Sequence, residues 1–249
     1  MKRILFLAVL FLGAASAHAR DYNAYVLEAV KEMPDGGRYS KLEEATIALG
    51  KSIFNDRGWL KQNPLVASPV YCSGASYQAF IHVISRLQQE GSLRLSDEAV
   101  AGLLVHQQLD GTDTWGRWNS NGPGTSRLFY ELGLGTNSMD WKDAKPGDFL
   151  KIFFNEHIGK LERGHSVVYL GSFRREGVDY FRYWSSDSPL GRGTHEMARS
   201  RAIRVIFSRL QHPEALNKIP SMPKSDAYLA SMLTQASTLE EMQQKIGLR

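Results

Sequence analysis

The chain has 249 residues, 43% of them hydrophobic, a formal net charge of +4 and a single cysteine. One cysteine excludes a disulfide framework within the chain, and no dense Lys/Arg stripe with interleaved aromatics points to nucleic acid. No repeat, low-complexity tract or long linker divides the sequence, and its length suits one good-sized domain.

The opening MKRILFLAVLFLGAASAHA sets Lys2 and Arg3 before an apolar run from Ile4 to Leu12, then small residues with Ala17 and Ala19 in A-x-A positions. This is the pattern of a cleaved secretory signal over residues 1–19, and the run is too short to span a bilayer. The expectation is a single domain over 20–249, periplasmic or secreted, monomeric and without stable membrane insertion. Loss of Lys2 and Arg3 takes the charge from +4 to about +2, a mild balance compatible with an anionic envelope polymer. In an oxidising compartment a lone cysteine is buried and inert, bridged to another chain, or reactive.

Helical spacing runs over 20–33, through Tyr22, Val26 and Val30, and over 41–55, through Leu42, Ala45, Ile47, Leu49 and Ile53, with MPDGG between them. Asn63-Pro64 and Ser68-Pro69 punctuate a loop. A helix is then expected over about 73–90, with Phe80, Val83, Ile84 and Leu87 on its apolar side, and another over about 96–109 opened by Ser96. DGTDTWGRWNSNGPG (110–124) reads as a loop with two large rings to bury, and 125–134 as a short helix. Past Pro146-Gly147 the segments 148–154, 165–173, 178–186 and 201–210 are rich in Val, Ile, Tyr and Phe and read as strands, with a hairpin turn inside GSFRREGV. Residues 226–246 are helical again. Helices first and sheet second predict an α+β architecture, N-terminal helices packed on a small antiparallel sheet.

Cys72 lies at the mouth of a helix, where unpaired backbone N–H groups and the helix dipole favour thiolate. Ser73, Gly74 and Ala75 keep that turn small, which would admit a substrate carbonyl to the N–H of Cys72. A thiolate nucleophile needs a base, and His165 begins an apolar strand in RGHSVVYLG. The imidazole needs an orienting acceptor. On the next strand, period two puts Phe181, Tyr183, Ser185 and Asp187 on one face. Asp187 is the favoured third member, with Ser185 and Ser186 as alternatives. No H-E-x-x-H and no paired-cysteine spacing occurs, and His106, His157 and His195 carry no metal-ligand spacing, so neither metal nor cofactor is expected.

Taken together and in order, YCSGASYQAF, KPGDFLKIFF and GHSVVYLG resemble the NlpC/P60 group of papain-like cysteine peptidases and, more loosely, the CHAP amidases. The resemblance covers residues 69–187. It implies a papain-like fold with Cys72 as nucleophile, His165 as general base and the orienting residue between Trp184 and Asp187, while Pro146, Gly147 and Asp148 match a structural turn. It also implies a substrate, the peptide part of peptidoglycan, and a thioester mechanism of amide hydrolysis. Two departures stand out: the family's Tyr and paired Gly precede the nucleophile closely, whereas GGRY here occupies 36–39, and the segment 91–140 is longer than a minimal domain needs. In such a cleft Trp115, Trp118 and Asn119 would form a wall against sugar or peptide, Tyr71 would flank the nucleophile, and Arg192 and His195, in a loop, would meet a substrate carboxylate. The competing expectations are a non-catalytic wall-binding protein on the same fold and a thiol acyltransferase.

Overall fold

The computed structural model describes residues 21–248, so the expected leader over 1–19 lies outside the described residues. Helix α1 (Tyr22–Glu32) starts where the Asp21 carboxylate accepts from the Asn23 N–H, and it buries Val26, Ala29 and Val30 at helical spacing. After the break at Gly36 and Gly37, both at positive φ, α2 (Glu43–Ser52) stops short of the expected 55. The chain instead turns into a hairpin of β1 (Ile53–Asp56) and β2 (Trp59–Gln62). The two residues between the strands, Arg57 and Gly58, both have positive φ, the condition for a tight hairpin turn.

Helix α3 (Cys72–Gln89) carries Phe80, Val83, Ile84 and Leu87 in the core, as its apolar spacing predicts. It is followed by α4 (Asp97–Gly102), capped by Ser96 and half the expected length, then α5 (Asp113–Asn119) and α6 (Gly124–Leu132). The text read as a loop is thus partly a helix. Seven residues do not hold a helix by propensity. What holds α5 is burial: Trp115 and Trp118 are each 1% exposed and pack among Tyr77, Phe80, Phe129 and Phe149, with the Trp118 Nε1–H donating to Ser76 Oγ at 3.2 Å. The two tryptophans therefore belong to the core and form no cleft wall.

Strands β3 (Gly135–Ser138), β4 (Phe149–Phe153), β5 (Gly164–Arg175), β6 (Val178–Asp187), β7 (Gly191–Ala198) and β8 (Arg204–Leu210) make one sheet in the order β3-β8-β4-β5-β6-β7, every pairing antiparallel. Strand β7 occupies what reads as a loop in the sequence. The tail carries α7 (Ala227–Ser231) and α8 (Leu239–Lys245) rather than one helix. One sheet face, with Phe149, Val168 and Trp184, packs on the helices. The other gathers Leu150, Val167, Tyr169, Phe181, Tyr183 and Phe207 beneath Trp141. The fold is α+β, helices against a small antiparallel sheet. No helix among the described residues is long and apolar enough to cross a membrane.

The Pro146-Gly147-Asp148 turn fixes where β4 begins. Asp148, fully buried, takes two hydrogen bonds from the Arg209 guanidinium at 2.8 and 2.7 Å, one from the Asn23 amide and one from the Lys145 N–H. Gly147 is at φ +94, and a Cβ there would lie 2.6 Å from the Asn23 carbonyl oxygen. The turn thus pins α1 to β4 and β8. Asp148→Ala leaves the Arg209 cation without its carboxylate and the Asn23 amide with one acceptor fewer, and is expected to cost about 3–5 kcal/mol in urea unfolding followed by circular dichroism. A loss below about 1 kcal/mol would show that the turn does not hold these elements.

Candidate active site

Three local features bring Cys72 to the end of the sheet. The Val70 carbonyl accepts from Ser186 Oγ at 2.7 Å, and the Val70 N–H donates to the Arg38 carbonyl at 2.9 Å. Arg192, 4% exposed, donates to the carbonyls of Pro34, Pro64 and Ala67 and to Gln78 Oε1 at 3.0–3.1 Å, and its backbone exchanges two hydrogen bonds with Gly36. Burial lowers the pKa of this guanidinium, whose charge is met by oxygen acceptors on every side named. Arg192 is therefore a structural clamp rather than a surface cation facing substrate. Gly74 also has a packing role: a Cβ there would meet the side chains of Val70 at 2.9 Å and Leu49 at 3.3 Å, so its smallness serves the core and not the approach of a carbonyl.

The base comes from strand register. Strands β5 and β6 pair Val168 with Trp184 and Tyr169 with Tyr183, and the same register continued toward the β5 start sets His165 opposite Asp187. Their side chains meet, His165 Nε2 to Asp187 Oδ1 at 2.7 Å. The other ring nitrogen, Nδ1, is not used by Asp187, and Cys72 and His165 are close enough for each to shift the other's pKa. Asp187 Oδ2 accepts from the Tyr183 hydroxyl at 2.9 Å and lies 3.8 Å from His195 Nδ1. His195 thus faces Asp187 on β7 rather than a substrate from a loop. Of the two alternative third members, Ser185 donates to the Ser166 carbonyl and Ser186 to that of Val70, so both hydroxyls are engaged away from the ring.

Burial works against charge on both reacting groups, and their mutual attraction overrides it. For Cys72, burial pushes the pKa up, but the His165 charge and hydrogen bond, the Ser166 N–H and the Lys151 ammonium bring it down to about 7. For His165, burial pushes down, while the Cys72 charge and the Asp187 hydrogen bond raise it to about 9. The two groups titrate as a pair. Between those values the favoured state is thiolate and imidazolium together. Asp187 stays well ionised because the His165 and Tyr183 hydrogen bonds outweigh its burial.

Cys72 is partly exposed as a residue and lines a cleft of about 700 Å³. Tyr71 and Asn119 line it, as the sequence predicts for both. Tyr71 hydrogen-bonds Thr46 Oγ1 at 2.9 Å, and Asn119 Oδ1 accepts from Ser73 Oγ at 2.6 Å. Lys41 and Arg163 stand exposed at the rim, and Asp110 is half-buried there, burial raising its pKa. Lys151 reaches in from β4 and pairs with Glu162 at 2.5 Å. Glu162 also accepts from the N–H groups of Gly122 and Gly159, joining two loops of the wall.

Tyr39 is a cleft residue the sequence does not assign. Burial raises its pKa, and the nearby Cys72 and Asp187 charges raise it further. The GGRY text that looks misplaced upstream reaches the nucleophile in space, because Gly36 bridges to Arg192 on β7. Among the described residues no group of three His, Cys, Asp or Glu side chains is disposed to hold a metal ion. No family model, curated protein or solved structure matches this chain. What can be said of the site therefore rests on its own chemistry.

Two measurements test that chemistry. The rate of Cys72 alkylation by iodoacetamide should rise with pH about a midpoint near 7, and His165→Ala should move the midpoint up to the ordinary thiol range near about 8.5. A wild-type midpoint already in that range would deny the pairing.

Proposed function

We propose that this protein is an exported cysteine hydrolase that cleaves amide bonds in peptidoglycan stem peptides, on a papain-like fold of the NlpC/P60 type. The observation that carries the reading is the grouping of Cys72 with His165, each acting on the other's charge, and of His165 with Asp187 behind it, beside a polar cleft that Cys72 and His165 line. A structural cysteine needs neither a base nor a carboxylate behind that base. The placement of the nucleophile on the first turn of a helix, with base and carboxylate on neighbouring antiparallel strands, supports the papain-like likeness carried by YCSG and GHSVVYLG.

In this reading the Cys72 thiolate attacks the amide carbonyl carbon and the carbonyl π pair moves to oxygen. No side chain caps this helix and its first N–H groups have no intrahelical acceptor, so the Cys72 N–H is available to donate to that oxygen. Collapse re-forms the carbonyl and expels the amine, which takes the proton from His165. The now neutral ring draws a proton from water as the water attacks the thioester, which releases the acid and returns the thiolate–imidazolium pair. Asp187 holds the ring orientation and supports its charged form without itself being protonated.

The cleft suits a zwitterionic peptide. Asp110 makes no ion pair or side-chain hydrogen bond among the described residues and offers an acceptor for an ammonium, while Arg163 and Lys41 offer partners for carboxylates. Stem peptides carry both groups. An exported location follows from the leader pattern.

Incubation with defined muropeptides and mass analysis of the products tests the reading. The wild type should yield fragments heavier in sum by one water per bond cut, with activity rising through about pH 7 and falling through about pH 9 as the ion pair forms and is lost. Cys72→Ala should abolish cleavage while unfolding like the wild type. Unchanged masses across all muropeptides would remove hydrolysis, and products joined to an added amine would make the protein an acyltransferase.

A further inference from the structure

The tetrahedral intermediate of such a reaction is best held by more than one donor to its oxygen, and the cleft that Cys72 lines holds a second candidate. Asn119 ends α5, the helix whose two tryptophans are locked in the core, so its backbone is fixed against the N-terminus of α3. Its side chain is fixed as well. Ser73, the residue after the nucleophile, donates through Oγ to Asn119 Oδ1 at 2.6 Å. That bond orients the amide: with Oδ1 turned to Ser73, the Nδ2 edge is the one left, and it makes no hydrogen bond among the described residues. Asn119 and Cys72 line the same cleft. An amide donor held by its oxygen, free at its nitrogen and tied to the residue adjoining the nucleophile is pre-oriented for developing negative charge.

We propose that Asn119 Nδ2–H is the side-chain donor of the oxyanion hole, with Ser73 as the positioning residue that holds its amide in register. This rests on the thiol-hydrolase reading above. When the Cys72 Sγ–C bond forms, the electron pair released from the carbonyl π bond resides on oxygen between the Cys72 N–H and Asn119 Nδ2–H. When the leaving group departs, that pair re-forms the carbonyl and both donors relax. The ground-state carbonyl carries less charge, so the contact strengthens in the transition state and acts on kcat more than on KM. Two other polar groups of the cleft are already engaged. The Tyr71 hydroxyl is engaged with Thr46, and the Lys151 ammonium with Glu162.

The test compares two reactions of the same sulfur in the full chain. Acylation by p-nitrophenyl acetate passes through an oxyanion; alkylation by iodoacetamide displaces iodide and forms none. Asn119→Leu keeps the side-chain volume and removes the donor. It should slow the p-nitrophenolate burst about 100-fold and leave the alkylation rate and its pH midpoint within twofold of wild type. Ser73→Ala should slow the burst by a smaller factor, again without touching alkylation. An unchanged burst in Asn119→Leu overturns the proposal, and so does an equal loss in both reactions, which would make Asn119 a support of the thiolate. Failure of the hydrolase reading is distinct: the wild type itself would then be acylated no faster than a free thiol of equal pKa.

Discussion

The geometry of this molecule depends on how the start of one helix is tied to the end of one β-hairpin. Arg192 on β7 gathers three backbone carbonyls and the Gln78 amide oxygen, and Ser186 on β6 holds the Val70 carbonyl two residues before the nucleophile. These contacts come from segments more than a hundred residues apart in the chain. They leave the sulfur no freedom to drift from the strand that carries His165. The Pro34 carbonyl lies in the break after α1, and those of Pro64 and Ala67 lie in and just after a short 3-10 turn, all outside the sheet, and the guanidinium supplies donors for them.

Once the sulfur and the ring are held together, electrostatics decides their state. Each charge alone would be disfavoured by burial, yet each is the other's counterion, and Asp187 stands behind the ring as a second. The carboxylate is in turn oriented by Tyr183, whose ring lies between those of His165 and His195. Lys151, paired with Glu162, adds a positive field that lowers the Cys72 pKa. A charge pair assembled this way is set by the fold itself, with no rearrangement needed to form it, and in the proposed hydrolase it would be in place before substrate arrives.

Much of this was legible in the residues, for reasons that are physical. Helix α3 and strands β4, β5 and β6 have strong periodicity and clear punctuation, so their existence and order could be read, and period two alone puts Asp187 on the face of Tyr183. The opposition of His165 and Asp187 needs only the β5–β6 register. What was not legible depended on tertiary context. Strand β7 contains two glycines and charged residues, and it becomes a strand because β6 offers it an edge. The Gly- and Asn-rich text around Trp115 looks like a loop because its helix is stabilised by the core and not by its own propensity, so the two rings were expected on a cleft wall. Arg192 looked like a surface cation because nothing in its neighbourhood announces the carbonyls that surround it. Tyr39 looked too far upstream, and only the Gly36–Arg192 bridge brings it to the sulfur.

Near neutral pH Cys72 and His165 are paired as thiolate and imidazolium. Nitrogen-15 NMR of the histidine rings reads this directly, with His165 assigned by comparison with its Ala variant. The account predicts that at pH 8 both nitrogens of His165 are protonated, and that the ring becomes neutral only as pH rises through about 9. A His165 ring already neutral at pH 8, titrating near the ordinary value of about 6.5, would contradict it.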